Sequence, residues 1–173
     1  MSGGYQNLLV YKLAVVIFDL GVEFCDRYIS RFSRTHDQMI QANRSGKQNI
    51  VEGSLEKSLN GNIKLAGVAR ASYGELTEDL KDFLRLGKLS LWDKDDPRVK
   101  EIRSIRITDL ANLPNWSNWK NTPERFANLL ITLIHLETYL LDQLLRSLEN
   151  KFITEGGYTE NLFKKRLEYR NRR

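Results

Sequence analysis

The strongest folding signal in the sequence is an apolar stretch over residues 126–148. Apolar residues recur there at spacings of three and four, which is typical of an amphipathic helix, and others widen the stripe beyond one face. They are Phe126, Leu129, Leu130, Ile131, Leu133, Leu136, Leu140, Leu141, Leu144, Leu145 and Leu148. A helix so apolar either lies centrally in its own fold or also contacts another subunit, so we infer a homo-oligomer.

Three earlier segments show the same helical periodicity, and no segment shows the alternation of a strand. Helices are predicted over about 6–32, 35–54 and 63–86, with a turn at 58–62 before the third. Gly46 and Gly53 share one stripe of the second helix. Glycine within a helix costs ~1 kcal/mol relative to alanine, so these glycines predict that another helix approaches closely.

The segment 88–121 breaks this rhythm and predicts an elaborated connection, with a short helix from Asp96-Pro97 that Pro114 closes. The sequence therefore predicts an all-α fold: an up-down antiparallel four-helix bundle with an elaborated connection between helices 3 and 4 and a C-terminal helical extension. The bundle occupies 1–148, including the connection, while 149–173 form a basic extension that is not an independent domain.

Composition places the protein among soluble, non-secreted chains. The 173 residues suffice for one domain with a real core. A single cysteine, Cys25, excludes an internal disulfide and favours a reducing compartment. The first residues do not read as a signal peptide, and no apolar run reaches the ~20 residues of a membrane helix. We expect a cytoplasmic protein with no membrane partner.

The charge balance favours a polyanionic partner. The formal net charge is +5 and the pI is near 9.3, and Lys and Arg that neutralise phosphates release counterions. Leu162, Phe163, Leu167 and Tyr169 interleave with the terminal charges, which predicts a short amphipathic helix that could dock. The candidate nucleic-acid-binding residues are Arg31, Arg34, Arg44, Lys47, Lys164, Lys165, Arg166, Arg170, Arg172 and Arg173.

Residue patterns for metal binding and catalysis are missing from the sequence. Neither His36 nor His135 belongs to the Glu-x-x-His pair of di-iron bundles, so His135 is read as a core or interface residue. Cys25 lies on the apolar side of its helix, and no Gly-x-Ser-x-Gly or Walker loop occurs. We expect no metal, no cofactor and no enzymatic activity. Trp116 and Trp119 could stack on bases, but packing is favoured.

Two polar stripes on the second and third helices could face each other. The favoured interpretation is a structural network that fixes helix register. A less favoured one makes Glu52 and Glu75 an acid and base pair, although no histidine, lysine or phosphate-binding loop completes such a site. The candidate network residues are Ser45, Asn49, Glu52, Ser72 and Glu75.

Several segments carry a resemblance to a known family. Three of them are Tyr5-Gln-Asn-Leu-Leu-Val-Tyr-Lys-Leu-Ala14, Gln38 through Ser45 leading into Asn49-Ile-Val-Glu-Gly53, and Val68-Ala-Arg-Ala-Ser-Tyr-Gly-Glu-Leu76. In order and spacing they resemble the 23S rRNA intervening-sequence protein family of bacterial four-helix-bundle proteins. The rest resembles its four-helix-bundle suffix subgroup through Trp119, Pro123-Glu124, Asn128, Leu140-Leu-Asp142 and Phe152-x-x-Glu-Gly-Gly157-x-x-Glu-x-Leu162 with Arg166.

The resemblance implies an antiparallel four-helix bundle, a homopentamer as in relatives, a basic surface and no enzymatic activity. Some relatives are accessory proteins that bind nucleic acid and a reverse transcriptase in diversity-generating retroelements, and others are encoded inside ribosomal RNA insertions. Where the family often has consecutive arginines, this sequence has Ile40 and Gln41. The candidate nucleic-acid contacts are therefore assigned to Arg31, Arg34, Arg44 and Lys47 and to the C-terminal tail.

The leading hypothesis is a non-enzymatic, homo-oligomeric accessory protein that binds RNA or DNA through phosphates and assists a reverse transcriptase or a ribosomal RNA process. The competing hypothesis is a protein-interaction scaffold without nucleic-acid binding. In that case the basic tail and the tryptophan-containing connection would dock a protein partner.

Overall fold

The computed structural model describes residues 4–107 and 116–172, and this part of the chain is helical without strands. The all-α prediction is confirmed. Short 3-10 turns lie at Tyr5–Asn7 and Trp116–Asn118. The α-helices are α1 (Leu9–Tyr28), α2 (Arg34–Leu55), α3 (Leu59–Leu86), α4 (Pro97–Ser104), α5 (Pro123–Glu155) and α6 (Tyr158–Asn171).

Helix ends differ from the sequence-based boundaries because capping side chains act locally. Helix α1 is shorter than predicted and ends where Ile29 turns extended. Helix α3 begins before the predicted turn has ended, since Ser58 Oγ accepts a hydrogen bond from the Gly61 amide at 3.0 Å. Ser58 is thus an N-cap, and the predicted turn at 58–62 is wrong.

Helix α5 crosses the expected boundary at residue 148 and continues to Glu155. It ends at Gly156, whose φ of 77° lies in the left-handed region that favours glycine. The basic tail then forms α6, as the sequence predicts a helix there. Helix α4 is shorter than expected and ends at Ser104, while Pro114, predicted to close it, lies outside the described residues.

The helices pack around one core. Helix α2 packs against α1 and α3, helix α5 packs against the same two helices, and α4 packs on α5. At the centre Phe24 and Phe126 are fully buried, with ring centroids 5.4 Å apart in an edge-to-face arrangement. No helix within the described ranges is long and apolar enough to span a bilayer.

Helices α2 and α3 approach closely at both predicted glycines. A Cβ at position 46 would lie only 2.6 Å from Tyr73 Cζ, and a Cβ at position 53 would lie 3.2 Å from Leu65 Cβ. Tyr73 is fully buried, so its ring occupies the space that a larger residue at position 46 would need. The prediction of a close helix contact along this stripe is confirmed.

The connection between α3 and α5 covers the first half of α5. Every residue from Phe126 to Ile134 is buried, partly under Trp92 and Ile102 of the connection. Asn128 fastens this cover, because its Oδ1 accepts from the Trp92 amide and its Nδ2 donates to the Ser90 carbonyl, both at 2.8 Å. The wide apolar surface of this half is thus hidden by the protein's own chain and gives no reason for a second subunit.

The second half of α5 is less well covered. Leu140, Leu144 and Leu148 are only partly buried, and Ile153 is 78% exposed. This half retains apolar surface that association could cover.

We expect Gly46→Ala to destabilise the protein by about 1–3 kcal/mol, because the added methyl group would overlap the Tyr73 ring. Gly67→Ala in α3 is the matched control: a Cβ there meets nothing within 4 Å, so this substitution should stabilise by up to about 1 kcal/mol. Urea denaturation of both variants measures the two free energies of unfolding. Equal effects would show that Tyr73 does not limit the approach of α2 to α3.

Candidate functional site

The first candidate surface is the tail helix α6. None of its residues is buried, and it lies outside the packed core. Its described cations are exposed, and within residues 4–107 and 116–172 none of them forms an ion pair. They are Lys164, Lys165, Arg166, Arg170 and the C-cap residue Arg172, while Arg173 lies outside the described residues. These five side chains are available to bind anions.

The cations of α6 divide between two faces because successive residues are rotated by about 100°. Arg166 and Arg170 lie with Phe163 and Leu167 along a shallow groove of about 370 Å³. Lys164, Lys165 and Arg172 fall on the opposite half of the helix. The apolar and charged residues of α6 are therefore not separated onto different faces, and the prediction of an amphipathic tail helix is wrong. Phe163 and Leu167 instead share one face with two arginines. We name it the Arg166–Arg170 face.

The second candidate surface lies on α2 and just before it. Arg34 and Arg44 are exposed and form no ion pair within the described part of the chain. Arg31 is also exposed, but its Nη2 lies 3.2 Å from Asp26 Oδ1. Lys47 is partly buried, with Nζ 3.8 Å from the centroid of the Phe18 ring. Within one chain these residues are separate from α6, which follows the far end of α5.

Three of the five predicted network residues come together between α2 and α3. Ser72 Oγ lies 2.9 Å from Ser45 Oγ, and Asn49 Nδ2 donates to Ser45 Oγ at 3.1 Å. Glu52 and Glu75 are exposed and take no part in these hydrogen bonds.

Glu52 and Glu75 lie at different levels of the helix pair. Ser45 contacts Ser72, and a Cβ at Gly53 would contact Leu65, so Glu52 is level with about residue 65 of α3. Glu75 is then about 15 Å farther along the axis, at ~1.5 Å per residue. This separation does not support the acid and base pair that the sequence left open.

A groove of about 540 Å³ runs between α2 and α3, and we name it the α2–α3 groove. Most of its lining residues are of polar types, and two of them are carboxylates on α3. The lining residues are Gln38, Gln41, Ala42, Ser45, Ser72, Glu75 and Asp79. Burial, followed by the charges of Asp82 and Glu75, raises the pKa of Asp79. Neither Glu75 nor Asp79 has a cationic partner among the described residues, so the groove is an uncompensated negative site.

An adjoining groove of about 430 Å³ shares Asp79 and is more apolar. Its walls include Tyr28 and Ile29 at the end of α1 and Phe83 and Leu86 at the end of α3. Leu86 is 73% exposed. The two grooves together make one channel, negative in the middle and apolar at the end of α3.

Sequence reasoning missed a buried acid in the core. Glu137 is fully buried, and neither of its carboxyl oxygens has a hydrogen-bond partner within the described ranges. Burial raises the pKa of Glu137 well above its ordinary value. The signal was present in the sequence, since Glu137 stands four residues after Leu133 and four before Leu141, both of which are buried.

Tyr73 is the polar neighbour of this acid. Its hydroxyl is buried without a hydrogen-bond partner among the described residues. Burial, followed by the charge of Glu137, raises the pKa of Tyr73. Glu137 and Tyr73 therefore place two titratable groups in the core, and burial favours the neutral form of both.

Two sequence interpretations of single residues have a clear outcome. Trp119 is 8% exposed and packs with its ring centroid 6.4 Å from that of Trp92, so the packing interpretation is confirmed for Trp119. Trp116 is partly buried. His135 lies on the outer side of α5 rather than in the core, and partial burial, with the charges of Lys81 and Arg103, lowers its pKa.

Cys25 is buried as predicted, and burial, followed by Asp26 and Asp79, raises its pKa to about 12. In the part of the chain that the structure describes, no three His, Cys, Asp or Glu side chains cluster as metal ligands would. A comparison with protein families, with curated proteins and with solved structures finds no match.

We expect Glu137→Gln to change the pH dependence of stability. The folded state holds the Glu137 proton more tightly than the unfolded state, where the pKa is near 4.5. The contribution of Glu137 is therefore full below that pH and is lost as the pH rises through the raised folded-state pKa. The glutamine does not titrate. The free energy of unfolding of the variant relative to wild type should therefore rise by more than about 1 kcal/mol between about pH 4 and pH 8.

Urea denaturation across this pH range measures the difference. Glu149→Gln, an exposed carboxyl on the same helix, is the control and should track wild type at every pH. A Glu137→Gln difference that is constant with pH would contradict a neutral buried carboxyl.

Proposed function

We propose that the protein is a non-enzymatic, homo-oligomeric accessory protein that binds RNA or DNA through phosphate contacts of its basic surface. The observation that carries this proposal is the five exposed cations of α6, which no acidic side chain of the described chain neutralises. Cations in this state release counterions when they meet a phosphate backbone, and this is the main term in binding with little base selectivity. Arg34 and Arg44 supply a second set.

We also propose that α1, α2, α3 and α5 form an up-down antiparallel four-helix bundle. Several contacts between successive members support this arrangement. Asn43 Nδ2 donates to the Phe18 carbonyl at 3.1 Å between α2 and α1, and Ser45 meets Ser72 between α2 and α3. Arg70 of α3 pairs with Asp142 of α5.

The proposed assembly is a homopentamer. The partly exposed apolar residues in the second half of α5 support association. The number of subunits rests on the resemblance to the intervening-sequence protein family. The same resemblance favours a ribosomal RNA or reverse-transcriptase context, in which an assembly would multiply the charge of each tail.

The second candidate function is a scaffold that binds a protein partner and no nucleic acid. Exposed apolar side chains just before the cations of α6 favour it, with Leu162 at 49% and Phe163 at 61% exposure. An RNA-binding helix needs only its cations, whereas a protein partner would cover these side chains as well.

We expect affinity for a 5′-labelled single-stranded RNA to fall steeply with salt and to depend on Lys164, Lys165 and Arg172. Neutralising all three to alanine should weaken binding at least about tenfold in ~100 mM salt. It should also reduce the slope of log affinity against log salt by about 2, since each phosphate that a cation neutralises adds ~0.7 to that slope for a single strand. Fluorescence anisotropy over a salt series measures both quantities.

A matched control removes the same charge elsewhere. Lys57, Lys64 and Lys94 are exposed, and their triple alanine variant should bind nearly as tightly as wild type. If both triple variants lost RNA affinity equally, the loss would be due to the change in net charge and not to the position of the tail cations. If wild type bound neither RNA nor DNA at ~50 mM salt, the scaffold function would replace this proposal.

A further inference from the structure

The channel on α2 and α3 and the helix α6 have matching lengths. Along α3 the channel runs from Ser72 to Leu86, which is about 21 Å at ~1.5 Å per residue. Helix α6 has 14 residues and is therefore of about the same length. Both surfaces are open within the described chain.

Their charges match in sign and in spacing. Glu75 and Asp79 are four residues apart on α3 and both line the α2–α3 groove. Arg166 and Arg170 are four residues apart on α6 and line one face of it. Residues at this spacing lie about 6 Å apart on a helix, so two such pairs can meet side by side. None of the four has an oppositely charged partner among the described residues.

The apolar side chains also correspond. Phe163 and Leu167 flank the two arginines of α6. In the channel, Phe83 and the exposed Leu86 flank the two carboxylates at one end. Arginines within an apolar face suit a channel that combines carboxylates with apolar walls, whereas a phosphate backbone would be repelled by Glu75 and Asp79.

We propose that the Arg166–Arg170 face of α6 docks into the α2–α3 groove of a second copy of the chain, where Arg166 and Arg170 pair with Glu75 and Asp79. This inference rests on the proposed homo-oligomer and names the surfaces that join its subunits.

The groove of the same chain is out of reach. Arg70 pairs with Asp142, and α5 continues from there for about 20 Å to Glu155, away from the groove. After the short Gly156-Gly157 link, a tail folded back along the bundle would place Arg166 about 15 Å short of Glu75. An arginine side chain cannot span that gap, so the occupant comes from another copy.

Docking would bring the two sets of candidate cations together. Lys164, Lys165 and Arg172 would remain on the outer side of the docked helix. The receiving groove is lined by Gln38 and Gln41, which lie between Arg34 and Arg44 on α2. The tail cations of one copy would thus lie next to the α2 cations of the second copy, and the two sets would form one basic surface. A contact in which one surface fits a different one is heterologous, and it generates a closed ring when its rotation closes.

Charge reversal tests the contact. Mass in solution, measured by light scattering without nucleic acid, should fall from an oligomer to a smaller species for Arg166→Glu/Arg170→Glu and for Glu75→Arg/Asp79→Arg. The chain that carries all four changes should recover the wild-type mass. Lys164→Glu/Lys165→Glu, an equal charge change on the outer face, should leave the mass unchanged.

A disulfide provides a second measurement that does not depend on the charge variants folding. Mixed Gln41→Cys and Arg170→Cys chains should form a covalent heterodimer under mild oxidation, while Gln41→Cys mixed with Lys164→Cys should not. The native Cys25 is buried with a raised pKa and does not compete.

The outcomes are distinct for the two proposals. An unchanged mass for Arg166→Glu/Arg170→Glu, or equal cross-linking from positions 170 and 164, would overturn the docked tail alone. A monomeric wild type would overturn the docked tail together with the proposed homo-oligomer. A variant that no longer assembles but still binds RNA as wild type does would show that docking is not needed to form the basic surface. The proposed nucleic-acid binding would then still hold. An assembled protein that binds no RNA or DNA would overturn the proposed function alone.

Discussion

The ring of Tyr73 fills the space beside Gly46, and this contact sets how closely α2 and α3 approach. With the helices at that distance, Ser45 and Ser72 come within 2.9 Å, which fixes the register of the pair. The same register places Gln38 and Gln41 opposite Glu75 and Asp79, so the α2–α3 groove is a direct consequence of the packing below it. A larger residue at position 46 would alter both the core and the surface.

Polar groups inside the bundle restrict how the remaining helices can pack. Asn43 reaches across to the carbonyl groups of Ile17 and Phe18, which ties α2 to α1 at one level. Glu137 has no such bond, and its burial favours the neutral carboxyl. Burying a neutral carboxyl near the Tyr73 hydroxyl costs much less free energy than burying a charged one.

Local periodicity predicted the type of the main helices because each buries a stripe against neighbours. It missed the start of α3, since the Ser58 cap depends on backbone geometry. It also overstated the need for a partner along α5, because Trp92 and Asn128 are far apart in sequence and their contact could not be read from it. The candidate cations were visible as residue types. Their division between two faces follows from the helical conformation of α6, in which successive residues are rotated by about 100°.

Assembly and nucleic-acid binding would be coupled in the arrangement we propose. Exposed ion pairs contribute only about 0.2–1 kcal/mol each, so pairing at Arg166 and Arg170 needs the burial of Phe163 and Leu167 beside it. In the proposed assembly the outer cations of neighbouring tails would repel one another where they come close, and a bound phosphate backbone would reduce that repulsion. If assembly increases the affinity for nucleic acid, then by linkage bound nucleic acid stabilises the assembly by the same free energy. One short helix can therefore serve both contacts because its two faces carry different chemistry.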